Sequence, residues 1–218
     1  MREYIPHKKP LPYLIVKDYF SKKNVDLMLK ELEFLTSSKK MGYSPPMNMA
    51  EGTKKNNQIG LDESYRNREV SDILMSLDKI YDDKKLIEML FDMSFFYKCW
   101  FHTNYDSTLL AYYENSDYYK AHQDMAVVSI MYWLWKEPKS FEGGNIYLPE
   151  YDIKVPVERN QLMIMPSSTE HAVTEVKMKS KFEFGPTPQY NTTKFSGDGR
   201  YCIFRFLYVL PLHLAQNS

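Results

Sequence analysis

Apolar residues recur at helical spacing in the first half of the chain and alternate in short, strand-like runs in the second half. Residues 13–20 (YLIVKDYF) predict a first strand, and Ser21 is the expected N-cap of a helix over residues 21–35. Residues 67–101 carry another stripe of apolar side chains and predict one or two further helices. Between these segments, the polar residues 37–60 predict a long loop.

After residue 105 the chain changes to short strand-like runs, separated by turn-forming stretches such as EPKSFEGGN. The runs cover residues 107–113, 126–135, 144–148, 152–157, 161–166, 171–177 and 200–210. Many short strands at this spacing favour a β-sandwich or barrel. We therefore expect an α+β fold, with a double-stranded β-helix (jelly-roll) core over about 106–210 and supporting N-terminal helices over about 1–105. One domain over residues 1–218 is the simplest organisation.

Composition and charge narrow the class of protein. Hydrophobic residues make up 44% and charged residues 26%, as in ordinary globular chains, and the 15% of aromatic residues favours strands. The 28 basic and 28 acidic residues cancel, so nucleic acid is not an expected partner. No apolar run reaches the length of a membrane span, so no membrane association is expected. The N-terminus has no signal-like apolar stretch and Cys99 and Cys202 form no disulfide framework, which predicts a cytoplasmic protein.

Three residues in the strand-rich half are candidate metal ligands. His122 and Asp124 are two positions apart, and in an extended chain such residues point to the same side. His171 lies 49 residues further on, after an apolar strand and a short turn, so a returning chain could bring it beside the first pair. Two His and one carboxylate on one face of a metal are the ligand set of non-haem Fe(II) oxygenases. The alternative is three unrelated polar residues at strand ends.

Five segments around these residues follow a set of motifs in a fixed order. YYENSDYYKAHQD is similar to Y-x-x-G-x-x-Y-x-x-H-x-D, with Ser116 in place of the Gly. VVSIMYWL and SFEGGNIYLPE resemble the next strand and an F-x-G-G-x-L stretch. VPVERNQLMIMPSSTEHAV resembles P-x-x-G-x-L-x-x-F-x-S-x-x-x-H-x-V, with Pro156 one residue further upstream than the pattern has it and Asn160 at the Gly position, which Asn can occupy in a left-handed backbone. With GRYCIFRF as the last strand, residues 109–209 resemble the Fe(II)/2-oxoglutarate-dependent dioxygenase superfamily, and its prolyl 4-hydroxylases in particular.

The resemblance implies roles for the candidate residues. His122, Asp124 and His171 would bind Fe(II), with 2-oxoglutarate as co-substrate, O₂ as oxidant and ascorbate as a further candidate cofactor. Arg200 would hold the distal carboxylate of 2-oxoglutarate, which suits a planar guanidinium. Arg205 lies an odd number of residues further on and faces the other side of a regular strand, where a surface ion pair is expected.

Two further positions and one insertion bear on the co-substrate and the substrate. Tyr113 and Trp133 match family positions that contact 2-oxoglutarate, although relatives often carry Tyr where Trp133 stands. Between the second His ligand and the arginine lie 28 residues, more than in most relatives. The insert over 178–199 is either a substrate-binding loop or a solvated hairpin, and the loop over 37–60 is a second candidate lid.

The resemblance predicts an enzyme that hydroxylates a C–H bond, with a prolyl residue of a peptide or protein as the first expected substrate. A free amino acid or another small molecule is the second. A nucleobase, as in the AlkB-like branch, ranks last, because that branch carries R-x-N-x-T-x-R where this chain reads RYCIFR. A non-enzymatic jelly-roll binding or structural protein is a different class, and the intact set of triad and arginine argues against it.

Overall fold

The chain is described by a computed structural model over residues 1–37, 42–43, 53–179 and 195–211. The α-helices are α1 Lys22–Ser37, α2 Leu61–Ser64, α3 Asp72–Asp78 and α4 Lys84–Met93. Turns of 3-10 helix span Arg68–Val70, Lys79–Asp82, Phe95–His102 and Pro149–Tyr151. Within these described ranges, none of the helices has the length and apolar character needed to cross a membrane.

The described strands are short and pair in the antiparallel sense. They are β1 Glu3–His7, β2 Tyr13–Lys17, β3 Gly42–Tyr43, β4 Lys54–Lys55, β5 Asn57–Gly60, β6 Tyr105–Tyr113, β7 Tyr118–His122, β8 Val128–Leu134, β9 Phe141–Gly143, β10 Ile146–Leu148, β11 Ile153–Val155, β12 Gln161–Pro166, β13 His171–Val173, β14 Val176–Met178 and β15 Arg200–Tyr208. The larger sheet has the order β1-β2-β12-β8-β15-β6-β5-β3, and the smaller one β11-β10-β13-β7-β4. Strands β9 and β14 pair with each other. The α+β prediction is confirmed, because helices accompany antiparallel sheets.

The larger sheet separates two apolar layers, because successive side chains of a strand point to opposite faces. On one face, residues such as Tyr112 and Ile203 pack with the helices, whose buried stripe includes Met28. On the other face, residues such as Tyr113 and Cys202 pack against side chains of the smaller sheet. This second layer is the interior of the jelly roll, and it is the layer that contains the candidate site.

Polar caps begin the helices. The amide of Asn24 donates to Ser21 Oγ at 3.3 Å, so the predicted N-cap of α1 is confirmed. Ser71 caps α3 and Asp83 caps α4 in the same way. The apolar stretch 67–101 forms two α-helices, as predicted, with turns of 3-10 helix between and after them.

The predicted loop over 37–60 is wrong in its last part. Strand β4 pairs with β7 in the smaller sheet and β5 pairs with β6 in the larger sheet, so the chain passes from one sheet to the other at Asn56. The polar stretch KKNNQIG does not predict this pairing, because the strands with which it pairs lie far along the sequence. Strand β1 is also absent from the sequence prediction. Residues 38–41 and 44–52 of the loop, and 180–194 of the insert, lie outside the described residues.

Two positions where the family pattern has glycine keep a left-handed backbone. Ser116 has φ 62° and Asn160 has φ 61°, so the expectation for Asn160 is confirmed. Asn160 also ties two elements together. Its Oδ1 accepts from the Phe20 amide and the Tyr132 hydroxyl, both at 2.9 Å, and its Nδ2 donates to the Phe20 carbonyl at 2.9 Å.

Asn160→Gly should lower the free energy of unfolding by about 1–3 kcal/mol, because glycine keeps the backbone conformation but leaves the Phe20 amide and carbonyl unpaired. Asp18→Gly is the matched control, because Asp18 has φ 51° but is exposed, and we expect a change within about 0.5 kcal/mol. Urea unfolding followed by circular dichroism measures both. Equal losses in the two variants would contradict the role given to the Asn160 side chain.

Candidate metal centre

The smaller sheet brings two histidines from distant parts of the chain into register. Strands β7 and β13 are neighbours, and His171 lies opposite His122 across the pair. Asp124 follows two residues after the end of β7, where its amide donates to the Ser167 carbonyl at 3.0 Å. The ligand atoms of the two imidazoles and the carboxylate all lie within 4.8 Å of one another. The structure therefore brings together the three residues that the sequence singled out.

Both imidazoles are oriented by a hydrogen bond from Nδ1 to a backbone carbonyl. His122 Nδ1 donates to Lys120 and His171 Nδ1 donates to Thr169, each at 2.9 Å. A carbonyl can only accept, so Nδ1 carries the proton and Nε2 presents its lone pair. Each Nε2 lies 3.7 Å from a carboxylate oxygen of Asp124. This tautomer, fixed by a backbone acceptor, is the one in which metal-binding histidines are usually held.

The surroundings of His122 keep its imidazole neutral. Burial, and then the nearby His171, lower the pKa of His122 to about 4. The ring also stacks on Tyr119, with ring centroids 3.5 Å apart and an angle of 11° between the planes. A neutral, positioned imidazole is available as a ligand at physiological pH.

A buried serine holds the carboxylate of Asp124, and a second buried serine holds the first. Ser129 Oγ donates to Asp124 Oδ2 at 2.7 Å and lies 2.8 Å from Ser167 Oγ. Both serines are 0% exposed, one on β8 and the other just after β12. Hydrogen bonds of this kind orient ligand carboxylates in metal sites.

Arg200 places a positive charge inside the jelly roll. It begins β15, lies opposite Tyr113 on β6 and is 0% exposed. None of its three guanidinium nitrogens has a hydrogen-bond partner among the described residues. The guanidinium carbon lies 4.8 Å from the centroid of the Tyr113 ring and 5.8 Å from that of the Trp133 ring. A buried charge without a counter-charge is unfavourable, and an anionic ligand would relieve it.

A glycine pair makes room for this arginine. A Cβ added to Gly144 would lie 2.7 Å from Arg200 Cδ, and its φ of 66° is left-handed. A Cβ on Gly143 would lie 2.0 Å from the Glu175 carbonyl oxygen. In the F-x-G-G segment, Gly144 thus permits the backbone to approach the arginine side chain, and Gly143 permits it to approach the backbone at Glu175.

Arg205 points to the opposite face of β15, as the odd spacing predicts, but the expected surface ion pair is wrong. The side chain is 1% exposed and lies on the face that packs against the helices. Its Nη1 donates to Asp78 at 2.8 Å and to Asp106 at 3.2 Å. Arg205 thus has protein counter-charges, whereas Arg200 on the same strand has no ion pair within the described ranges.

Tyr113 and Trp133 line the same interior as Arg200. Both are 0% exposed, and neither the Tyr113 hydroxyl nor the Trp133 indole N–H has a hydrogen-bond partner in the described part of the chain. Burial raises the pKa of Tyr113, and Arg200 opposes that rise only in part. The hydroxyl therefore stays protonated and available as a donor.

Cys202 connects the arginine with the candidate metal ligands. It lies two residues after Arg200 on the same face of β15 and is fully buried. Burial raises the pKa of its thiol to about 12, Arg200 lowers it and Asp124 raises it. Arg200, Cys202 and the Ser129 that holds Asp124 are on strands β15 and β8, which pair with each other.

Sequence reasoning missed one polar residue at this site, Asn56. It is 1% exposed, and neither its amide nitrogen nor its amide oxygen has a partner among the residues that are described. The residue lies in a polar segment that was predicted to be a loop. This segment has no alternation of apolar and polar residues from which a buried side chain could be predicted. The doubled Asn in KKNNQIG was the only available signal.

Known proteins resemble this chain in sequence over part of its length and in fold over most of it. Residues 108–186 match a family model described as the 2OG-Fe(II) oxygenase superfamily. No curated protein sequence matches the chain. A Pseudomonas putida prolyl-4-hydroxylase is 11% identical, with 91% of this chain and 94% of that chain covered and a TM-score of 0.62.

Two further solved structures share the fold. A Trichoplax adhaerens prolyl hydroxylase, in complex with a hypoxia inducible factor oxygen degradation domain peptide fragment, is 14% identical, covers 90% of this chain and 83% of that one, and has a TM-score of 0.59. OsALKBH1 is 15% identical, covers 94% of this chain and 100% of that one, and has a TM-score of 0.53. At these identities the likeness shows the fold and not the substrate.

Fold and site together define a class, the jelly-roll proteins that present two histidines and a carboxylate at one point. Within that class, the resemblance to the 2OG-Fe(II) oxygenase superfamily is confirmed by the family match and by the shared fold. The matched residues include the three candidate ligands, Tyr113 and Trp133, and they end before Arg200.

Arg200→Met should raise the free energy of unfolding of the protein without metal or ligand by about 1–3 kcal/mol, because it removes a buried charge that lacks a protein counter-charge. Arg205→Met is the control on the same strand. It should lower the free energy of unfolding by about 1–3 kcal/mol, because Asp78 and Asp106 lose an ion-pair partner; both keep Arg68, and Asp106 also keeps the Tyr81 hydroxyl. Urea titration measures both variants. A similar loss of stability in the two would contradict the description of Arg200 as uncompensated.

Proposed function

We propose that this protein is an Fe(II)- and 2-oxoglutarate-dependent dioxygenase. His122, Asp124 and His171 would hold the iron, and Arg200 would bind the distal carboxylate of 2-oxoglutarate. The observation that carries the proposal is the fully buried Arg200, which has no hydrogen-bond partner in the described structure and borders the interior where the three ligands converge. Such a pair of sites suits a co-substrate that chelates a metal at one end and carries a carboxylate at the other.

The donor set fits these groups. Two imidazoles and a carboxylate suit Fe(II) and leave coordination positions open. Tyr113 and Trp133 would offer an O–H and an N–H to the co-substrate, and ascorbate is a further proposed cofactor. Fe(II) and 2-oxoglutarate, when bound, supply the activation of O₂ that hydroxylation of a C–H bond requires. The protein's own residues orient the co-substrate and keep its charged end away from water.

We further propose a prolyl residue of a peptide or protein as the substrate. The spacing of Tyr113, Tyr119, His122 and Asp124 supports this choice, since it follows the prolyl hydroxylase pattern with one change. The fold shared with the Pseudomonas putida and Trichoplax adhaerens prolyl hydroxylases supports it as well. Met125, next to Asp124, is an exposed apolar side chain that a peptide could cover.

The chain would act as one domain in a reducing compartment, which we take to be the cytoplasm. Strands from both halves of the chain join in the larger sheet, which supports a single folding unit. Cys99 and Cys202 are free thiols, which supports the reducing compartment.

Anaerobic addition of Fe(II) and 2-oxoglutarate to the purified protein tests the enzyme class. We expect the weak visible charge-transfer band of the iron chelate in the wild type and its loss in His122→Ala, because a ligand is removed. His102→Ala is the matched control and should keep the band, because His102 is an exposed residue outside the site. A wild type that gives no band would overturn the proposal.

Turnover with peptides tests the substrate. A proline-containing peptide should increase the formation of succinate and gain one oxygen atom on its prolyl residue, as seen by mass spectrometry. Free proline is the matched control and should do neither. Transfer of oxygen to free proline and not to the peptide would replace the peptide class by a small molecule.

A further inference from the structure

Asn56 carries a buried side-chain amide that has no partner in the part of the chain that the structure describes. Its side chain is 1% exposed, and both Nδ2 and Oδ1 lack hydrogen-bond partners among the described residues. An asparagine amide can donate twice and accept through its oxygen, and burying it unpaired costs free energy. Buried polar groups in this condition call for a specific explanation, and a ligand is one.

The position of Asn56 in the fold points to such a ligand. Lys54 pairs with Tyr119 in the smaller sheet, and Asn57 pairs with Tyr112 in the larger one. Asn56 therefore lies where the chain crosses between the sheets, beside the strand end that carries Tyr113. Tyr113 in turn lies opposite Arg200 in the pairing of β6 with β15.

Asn56 is close enough to Tyr113 to influence its pKa, as Arg200 is. Burial is the main influence on the pKa of Tyr113, and Asn56 and Arg200 both act against it. Yet the Asn56 amide and the Tyr113 hydroxyl form no hydrogen bond of ordinary geometry, and both are without partners in the described structure. Arg200, Tyr113 and Asn56 thus each bury a polar group, and none of these groups has a hydrogen-bond partner within the described ranges.

We propose that Asn56 is a further co-substrate-binding residue, whose side-chain amide donates to a carboxylate oxygen of 2-oxoglutarate. This inference rests on the proposed function and adds a binding group to it. One ligand with several oxygen acceptors satisfies the guanidinium, the hydroxyl and the amide N–H group at once, which explains why these three donors are left unpaired.

The neutral amide is the suitable group at this position. A carboxylate at residue 56 would bring a negative charge toward Arg200 and repel a dicarboxylate. An amide supplies a donor without neutralising the arginine. Chemistry at this position therefore favours Asn over Asp for an anionic ligand.

Calorimetric titration of 2-oxoglutarate into the Mn(II)-loaded full chain, without O₂, tests the inference. Asn56→Ala should weaken the affinity for 2-oxoglutarate about tenfold, because one hydrogen bond to a charged group is lost. Asn56→Asp should weaken it further, because the added charge repels the ligand. Asn57→Ala and Asn57→Asp are the matched controls one position along the strand, and their affinity should stay within about twofold of wild type. Mn(II) affinity should be unchanged in both Asn56 variants, and the midpoint of thermal unfolding should not fall, because the amide has no hydrogen-bond partner to lose among the described residues.

The outcomes separate this inference from the proposed function. Wild-type affinity in both Asn56 variants, with binding intact in the wild type, would overturn the role of Asn56 and leave the proposed function standing. Parallel losses of Mn(II) affinity and thermal stability would also overturn it, because they would indicate a structural role. If the wild type itself binds no 2-oxoglutarate, the proposed function fails and this inference fails with it.

Discussion

The buried guanidinium of Arg200 is the constraint around which the site is arranged. Strand β15 lies between β8 and β6 in the larger sheet, so its inward side chains are shielded on both sides. The backbone at Gly144 approaches the arginine more closely than any side chain would permit, and Tyr113 and Trp133 offer it their ring faces. These contacts hold the charge in place without neutralising it. Binding of an anion would offset the free energy that this burial costs.

The candidate metal centre depends mainly on the smaller sheet, which packs against the face of the larger sheet that carries Arg200. The register of β7 with β13 sets His122 opposite His171, and backbone carbonyls fix the tautomer of each ring. Ser129 on β8 then orients Asp124 from the larger sheet. The two histidines come from one sheet and the supporting serine from the other, so the centre requires both sheets in place.

Much of this arrangement follows from alternation in strands, which depends on the sequence alone. The H-x-D spacing put His122 and Asp124 on one side, and the odd separation put Arg200 and Arg205 on opposite faces. Alternation does not show which element of the fold packs against each face of a strand. Arg205 proved to be buried against Asp78 and Asp106 instead of lying in a surface ion pair, because the helices cover that face of the sheet.

Short polar strands also could not be predicted from the sequence. Strands β4 and β5 lie in a segment with no apolar periodicity, and their existence depends on hydrogen bonds to β7 and β6. Asn56 therefore could not be placed from the sequence, although it is as deeply buried as the residues of the core. The division into a helical support and a jelly-roll core, and the roles of the individual site residues, remain predictions.

The affinity of 2-oxoglutarate for the Mn(II)-loaded protein, measured without O₂ in the wild type and in Arg200→Met, tests the central claim most directly. If the buried arginine is the anchor for the distal carboxylate, the variant should bind the co-substrate at least about thirtyfold more weakly while its Mn(II) affinity is unchanged. Equal affinities for 2-oxoglutarate in the two proteins would contradict the claim.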